Sequence, residues 1–136
     1  MLIEIDDREP KVMLDLVRME FRGKKDVHVR RKRLLIGDYE CGDCVIERKT
    51  IDDFCGSVMD GRFKRQVENM KDFKYKFVLV SGHIKDRKSE IHENCILGKI
   101  ISMVLKHGVN VLMLDDDIQM AYVIRRIFER VEENEK

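Results

Sequence analysis

Two carboxylates and a lysine, Asp38, Glu47 and Lys49, stand within the stretch Gly37-Asp38-Tyr39-Glu40-Cys41-Gly42-Asp43-Cys44-Val45-Ile46-Glu47-Arg48-Lys49. If Gly42 and Asp43 form a two-residue turn, with the glycine supplying a positive φ, then Cys41 faces Cys44, Tyr39 faces Ile46 and Asp38 lies opposite Glu47. Like charges set directly across a ladder repel, so the arrangement asks for a cation between them. Lys49, two residues past Glu47, shares its face. Such a trio suits a hard divalent ion, Mg²⁺ or Mn²⁺, held by the two carboxylates with a backbone carbonyl of the strand and several waters. The chemistry would be hydrolysis of a phosphodiester: the metal activates water and polarises phosphate, and the lysine orients that water or stabilises developing negative charge. The pattern alone is weak, because an exposed edge hairpin with solvated charges would carry the same residues.

The same hairpin holds a C-x-x-C pair, Cys41 and Cys44, which could be half of a zinc site. Cys55 and Cys95 stand singly and supply no second pair, and their apolar helical contexts predict core positions. The simpler reading of Cys41 and Cys44 is two small residues flanking a turn, reduced in a cytosol, with a cross-strand disulfide available on oxidation.

The elements that must position these groups follow from periodicity. Leu2 to Asp6 reads as a short strand ending in the polar run Asp6-Asp7-Arg8-Glu9, and Pro10 opens a helix that Gly23 stops. Val27 to Ile36 is extended and basic. Thr50 can cap a helix whose first turn contains Asp52 and Asp53. Asp60-Gly61 breaks it before a second helix that starts at Arg62. Lys76 to Ser81 is a continuous apolar run, as in a central strand buried on both faces. Lys85 to Glu90 is a polar loop. A helix from about Glu93 to Lys106, ended by Gly108, then precedes a strand over Val109 to Leu114 and a helix from Asp117 to about Val131. Helical crossovers between strands predict an α/β fold: a mixed central sheet flanked by helices, with the hairpin and its site at an antiparallel edge.

A chain of 136 residues, 43% hydrophobic and 39% charged, is long enough for one packed domain over residues 1–136 and too apolar for disorder. The net charge of +1 conceals a polarised layout, with a basic run at Arg22 to Arg33 and a mostly acidic end. A neutral total leaves room for a nucleic-acid partner that needs only a local positive patch. No apolar run is long enough to span a membrane and the N-terminus does not read as a signal peptide, which predicts a soluble, cytoplasmic protein, or a nuclear one in a eukaryote.

The wider context adds specificity. Gly37-Asp38 followed by Ile46-Glu47-Arg48-Lys49-Thr50-Ile51-Asp52-Asp53-Phe54 closely resembles the GD…ERKxxxDF signature of the XPF-type structure-specific nucleases. Asp60-Gly61-Arg62-Phe63-Lys64-Arg65-Gln66 resembles that family's DGRxxxQ segment, and Asp6-Asp7-Arg8-Glu9 its N-terminal D-x-R-E motif. The motifs stand in the family's order, and the final helix-strand-helix has the spacing of the end of its nuclease domain. The resemblance implies a restriction-endonuclease-like core that cuts DNA near junctions of duplex and single strand, such as flaps and forks, in repair or fork processing. It implies Asp38 and Glu47 as ligands of Mg²⁺ or Mn²⁺, with the carbonyl of Arg48 as a third, and Lys49 as the catalytic lysine. Asp6, Arg8, Arg48 and Asp52 match supporting positions, Asp6 by ligating or positioning metal-bound water. Arg62, Lys64, Arg65 and Gln66 would hold the DNA backbone. Against these stand plainer roles: Arg8 and Arg48 pairing with acidic groups, and Asp52 stabilising a helix start.

Departures from the family pattern bear on partners. Ser81-Gly82 stands where relatives often have Glu-Gly, and Asp115-Asp116-Asp117 replaces a threonine-rich helix start. The stretch contains neither a helicase nor a helix-hairpin-helix domain, so junction targeting is expected to come from another protein or a helicase in trans. Arg30 to Arg33 and Arg62 to Arg65 offer phosphate contacts, which are salt-dependent and largely blind to sequence. The family pairs through its nuclease domains, which predicts a homodimer using Ile100, Ile101, Val104, Ile124 and Ile127, residues that equally suit an internal core. Two other readings stay open: a non-catalytic DNA-binding or scaffold subunit, and a broader metal-dependent nuclease that includes RNA among its substrates.

Overall fold

A computed structural model describes all 136 residues. Six strands, β1 (Leu2–Asp6), β2 (His28–Lys32), β3 (Tyr39–Cys41), β4 (Cys44–Thr50), β5 (Tyr75–Ser81) and β6 (Asn110–Leu114), form one sheet in the order β2-β1-β3-β4-β5-β6. β3 is antiparallel to both neighbours, and the other pairings are parallel. Helices α1 (Lys11–Glu20) and α5 (Asp117–Asn134) cover one face; α2 (Ile51–Asp60), α3 (Arg62–Asn69) and α4 (Glu93–His107) cover part of the other.

Strand alternation explains the two cores. Ile3, Ile5, Tyr39, Ile46, Leu79 and Leu114 point towards α1 and α5, where they meet Met13, Val17, Ile124 and Phe128. Val45, Val78 and Val80 point the other way, against Phe54, Val58, Phe63, Val67 and Ile96. The second helical layer stops at β4. Beyond it the same face of β1 and β2 carries Glu4, Arg30 and Lys32, which pair with one another in the open.

The hairpin has the predicted register, Tyr39 with Ile46 and Cys41 with Cys44. Its place differs from the expected edge: β1 lies against β3 and β5 against β4, so the hairpin is interior. The physical reason lies in β4, where Cys44, Val45 and Ile46 are all buried. Apolar side chains on both faces of β4 need cover from both helical layers, and an edge position would leave its backbone groups unpaired. The edges are β2 and β6 instead. β2 is blunted by its charges, as edge strands commonly are.

One further expectation is corrected. Cys55 is buried as predicted, but Cys95 is exposed, because α4 buries only Ile96 and its neighbour falls on the outer side. Of the residues that suited either a dimer face or an internal core, Ile124 and Ile127 belong to the core beneath α5. The loop after β5 is also more ordered than its polarity implies. It contains a short 3₁₀ turn, Ile84–Asp86, and the Arg87 guanidinium donates to the carbonyls of Ile84 and Ile91.

Candidate active site

The site lies at the carboxyl ends of β1 and β4, where the helical layer gives out and α3 borders the bare part of the sheet. Asp38 immediately precedes β3 and is stitched into place by three bonds. Its N–H donates to the Ile46 carbonyl at 2.8 Å and its own carbonyl accepts from the Asp6 N–H at 2.8 Å. Its side-chain Oδ2 accepts the Arg48 N–H, also at 2.8 Å. The carboxylate therefore replaces a strand partner where the β3 ladder ends. Gly37, at φ 73°, makes the approach possible: a Cβ there would run into the Val45 side chain.

Glu47 and Lys49 project from the same face of β4, and Lys49 is only 9% exposed. Burial is the main cause that pushes Asp38 and Glu47 above the usual carboxylate range. The negative charge of Glu9 adds to it for Asp38, and that of Asp38 for Glu47. Lys49 works in the opposite sense on Glu47. Two carboxylates that cannot both ionise comfortably form a site in want of a cation. No group of three or more His, Cys, Asp or Glu side chains is placed to hold an ion by itself. A hydrated hard cation fits this donor set better than zinc, since it accepts carbonyl and water oxygens beside two carboxylates. The Arg48 carbonyl suits such a role: Ile46 and Arg48, two residues apart, turn their backbone polar groups to the same side of β4, towards Asp38.

Asp38 and Glu47 share a polar hollow of about 380 Å³ with Asp6, Arg8, Glu9, Leu35, Ile36, Gly37, Gln66 and Asn69. Asp6 is buried at 2% exposure, and its oxygens are engaged: Arg8 donates to both, and the Leu34 N–H donates to Oδ1 at 2.9 Å. Burial opposes ionisation of Asp6, but the Arg8 side chain and the Leu34 N–H together hold its pKa below the usual carboxylate range. Its evident work is to fasten the loop between β2 and β3 to the end of β1. Arg48 turns to the opposite face of the sheet, where its guanidinium makes a bidentate pair with Glu9 at 2.7 and 3.1 Å. Tyr39 Oη lies buried nearby without a hydrogen bond, and burial followed by the charge of Glu9 pushes its phenol up.

Of the other predicted residues, Asp52 points away from the hollow. It accepts the Lys88 N–H at 2.9 Å and so ties the loop after β5 to the start of α2, which Thr50 caps by accepting from the Asp53 N–H. Gln66 lines the hollow, and its Oε1 is buried without a partner. Arg62, Lys64 and Arg65 are exposed on the outer side of α3, with Arg62 bonded to Asp60 at 2.7 Å and Lys64 beside Glu68. In the other basic run, Arg31 and Arg33 both donate to Asp7, at its carbonyl and carboxylate respectively.

Sequence reasoning gave no role to Glu9, Asn69 or Leu35. Glu9 was visible as the last letter of the N-terminal motif. Asn69 stands three residues after Gln66, on the same helical face. Leu35 carried no signal.

The ERCC4 domain model matches residues 5–127. Among curated relatives, a protein of Methanocaldococcus jannaschii named "Putative ATP-dependent RNA helicase MJ1505" is 32% identical over 110 residues, 80% of this chain and 14% of that protein. The "3'-flap repair endonuclease Xpf" of Saccharolobus solfataricus is 32% identical over 101 residues, 72% of this chain and 43% of that protein. The chain thus spans less than half the length of these two relatives. XPF from Aeropyrum pernix has the same fold, with a TM-score of 0.81 at 24% identity over 97% of this chain and 65% of that one. Its complex with DNA gives a TM-score of 0.77 at 24% identity over 98% of this chain and 66% of that one. No helix is long and apolar enough to cross a membrane. With the family model covering most of its length and its mixed sheet superposing on that of XPF, the chain belongs to the ERCC4 domain family, as an XPF-type nuclease domain.

Proposed function

We propose that this chain is a divalent-metal-dependent endonuclease that cuts DNA where duplex meets single strand. The observation that carries the reading is the half-buried pair Asp38 and Glu47, held together in one hollow with the buried Lys49 on the same strand face as Glu47. Asp38, Glu47 and the Arg48 carbonyl would hold Mg²⁺ or Mn²⁺. When bound, the metal supplies an activated water and a charge that polarises the phosphate. Lys49 stabilises negative charge as it develops at the phosphate and orients the attacking water. Glu9 keeps Arg48 in place, and Asp6 with Arg8 keeps the loop that leads into Asp38. Arg62, Lys64 and Arg65 contact backbone phosphates flanking the cut, and Gln66 supports the reacting group from α3.

We further propose that the chain acts as a homodimer on branched DNA, with a helicase or other targeting protein in trans. Support for pairing comes from α4, where Leu97, Ile101 and Leu105 form an exposed stripe, with Ile118 and Tyr122 of α5 also exposed. Support for a helicase partner comes from the name of the M. jannaschii relative.

The decisive assay measures cleavage of labelled flap, fork, duplex, single-stranded DNA and RNA substrates with Mg²⁺, Mn²⁺ or chelator. Cutting near the branch that needs metal, disappears in Asp38→Asn and disappears in Lys49→Ala while metal binding by Lys49→Ala persists, is the expected result. Wild type and Asp38→Asn that bind branched DNA equally and are equally inert would favour a scaffold subunit, and preferential cutting of RNA would redirect the substrate.

A further inference from the structure

The hollow is polar on every side but one. Leu35 and Ile36 supply its apolar lining, and Leu35 is 96% exposed, more than any other large apolar side chain of the protein. A single exposed leucine is ordinary on a protein surface. This one differs because the backbone that carries it is anchored on both sides. Before it, Leu34 is buried, donates its N–H to Asp6 Oδ1 at 2.9 Å, and accepts from Arg8 Nη2 at 3.1 Å through its carbonyl. After it, Gly37 is held against Val45, and the Asp38 N–H donates to the Ile46 carbonyl at 2.8 Å. The loop cannot fold its leucine inward without breaking those bonds, which also position Asp38. An apolar side chain is therefore held in water at the rim of a charged site.

Such a side chain gains free energy only by covering other apolar surface. The charged hollow admits a sugar-phosphate backbone, and the apolar surfaces of a nucleic acid are the faces of its bases. Within a continuous duplex those faces are stacked and hidden; where stacking ends, one is open and can take up a protein side chain. We infer that Leu35 is a specificity-determining residue that packs on the open base face beside the phosphate to be cut. The inference rests on the proposed nuclease reading and adds to it the means by which this chain recognises an interruption in stacking.

The test uses the full chain with Leu35→Ser and, as the conservative variant, Leu35→Met. Both should melt as wild type does, because the side chain is exposed. With Mg²⁺, the ratio of kcat/KM on a flap to that on continuous duplex of the same sequence should fall about tenfold in Leu35→Ser and recover in Leu35→Met. A second arm needs no cleavage: Asp38→Asn is titrated with a flap that carries 2-aminopurine at the branch. The fluorescence change on binding should shrink when Leu35→Ser is added and return with Leu35→Met. An unchanged ratio and unchanged fluorescence in Leu35→Ser would overturn the role of Leu35. If wild type cuts no substrate, the nuclease reading fails, and the fluorescence arm decides alone: dependence on residue 35 upholds the base contact, and its absence overturns it.

Discussion

At the scale of single residues, the site is governed by negative charges placed out of water. Asp38 and Glu47 bind protons more tightly than free carboxylates, first because they are partly withdrawn from water and then because Glu9 and Asp38 respectively lie close. Above the ordinary carboxylate range, near pH 4, the folded metal-free chain therefore holds more protons than the unfolded chain. Stability from these two groups is present at low pH and declines as pH rises through their raised values. Asp6 has the opposite sign: its depressed value means a contribution present above its ordinary range and lost as pH falls below it. Thermal melts with chelator should thus peak in mildly acidic buffer. Saturating Mg²⁺ should raise the melting temperature at about pH 8 towards that peak. Asp38→Asn should flatten the alkaline limb, and an alkaline limb as steep as wild type's would show that the pair is not its source. The Glu9–Arg48 pair gives a second expectation. Its side chains are 8% and 15% exposed, so Glu9→Gln leaves a buried guanidinium without its counter-charge. A loss of about 3 kcal/mol in denaturant unfolding is expected, with much of it recovered when both residues become methionine.

At the scale of elements, the position of Asp38 depends on where β3 begins. The chain leaves β2, is pinned at Leu34, turns through Gly37 and enters the ladder at Tyr39. Gly37→Ala adds a methyl group where Val45 already stands, at a φ that L-residues avoid. It should cost about 2 kcal/mol or more in unfolding and displace Asp38. Metal affinity measured by calorimetry should fall with it, and unaltered affinity would mean that the carboxylate is placed independently of the turn. The same element view accounts for Asp52. A residue that matches the family signature sits outside the hollow because the first turn of α2 faces the loop after β5, and it holds that loop through the Lys88 N–H.

At the scale of the whole molecule, α4 is the least buried of the longer helices. Only Ile96 of its 15 residues is fully covered, and Leu105 is 80% exposed. A helix this apolar with so narrow a buried stripe is poised for a partner. We expect light scattering at micromolar concentration to give the mass of a dimer, and Ile101→Glu with Leu105→Glu to give a monomer that keeps its melting temperature. A wild-type monomer would remove α4 as a pairing surface. Paired domains would also present two hollows to one branched substrate, which makes loss of cleavage on dissociation a natural companion measurement.

Local sequence carried a large share of this. Turn chemistry at Gly42-Asp43 and period-two alternation set the register that aligns Tyr39 with Ile46, because a two-residue hairpin has little freedom. Capping residues and glycines placed the ends of α2, α3 and α4. The spacing of Asp38, Glu47 and Lys49 suggested the chemistry proposed for the site, and the ordered motifs named the family. What tertiary structure alone decided is which strands flank the hairpin, since β1 and β5 come from chain segments far from it and join it through long-range burial. For the same reason, only the fold shows that Glu9 reaches Arg48 across 39 positions, that Asp52 faces away, that Ile124 and Ile127 are already covered, and that Leu35 is held out in water beside the carboxylates. Spacing along a strand or helix specifies which residues share a face; what that face meets is set by the packing of the whole chain.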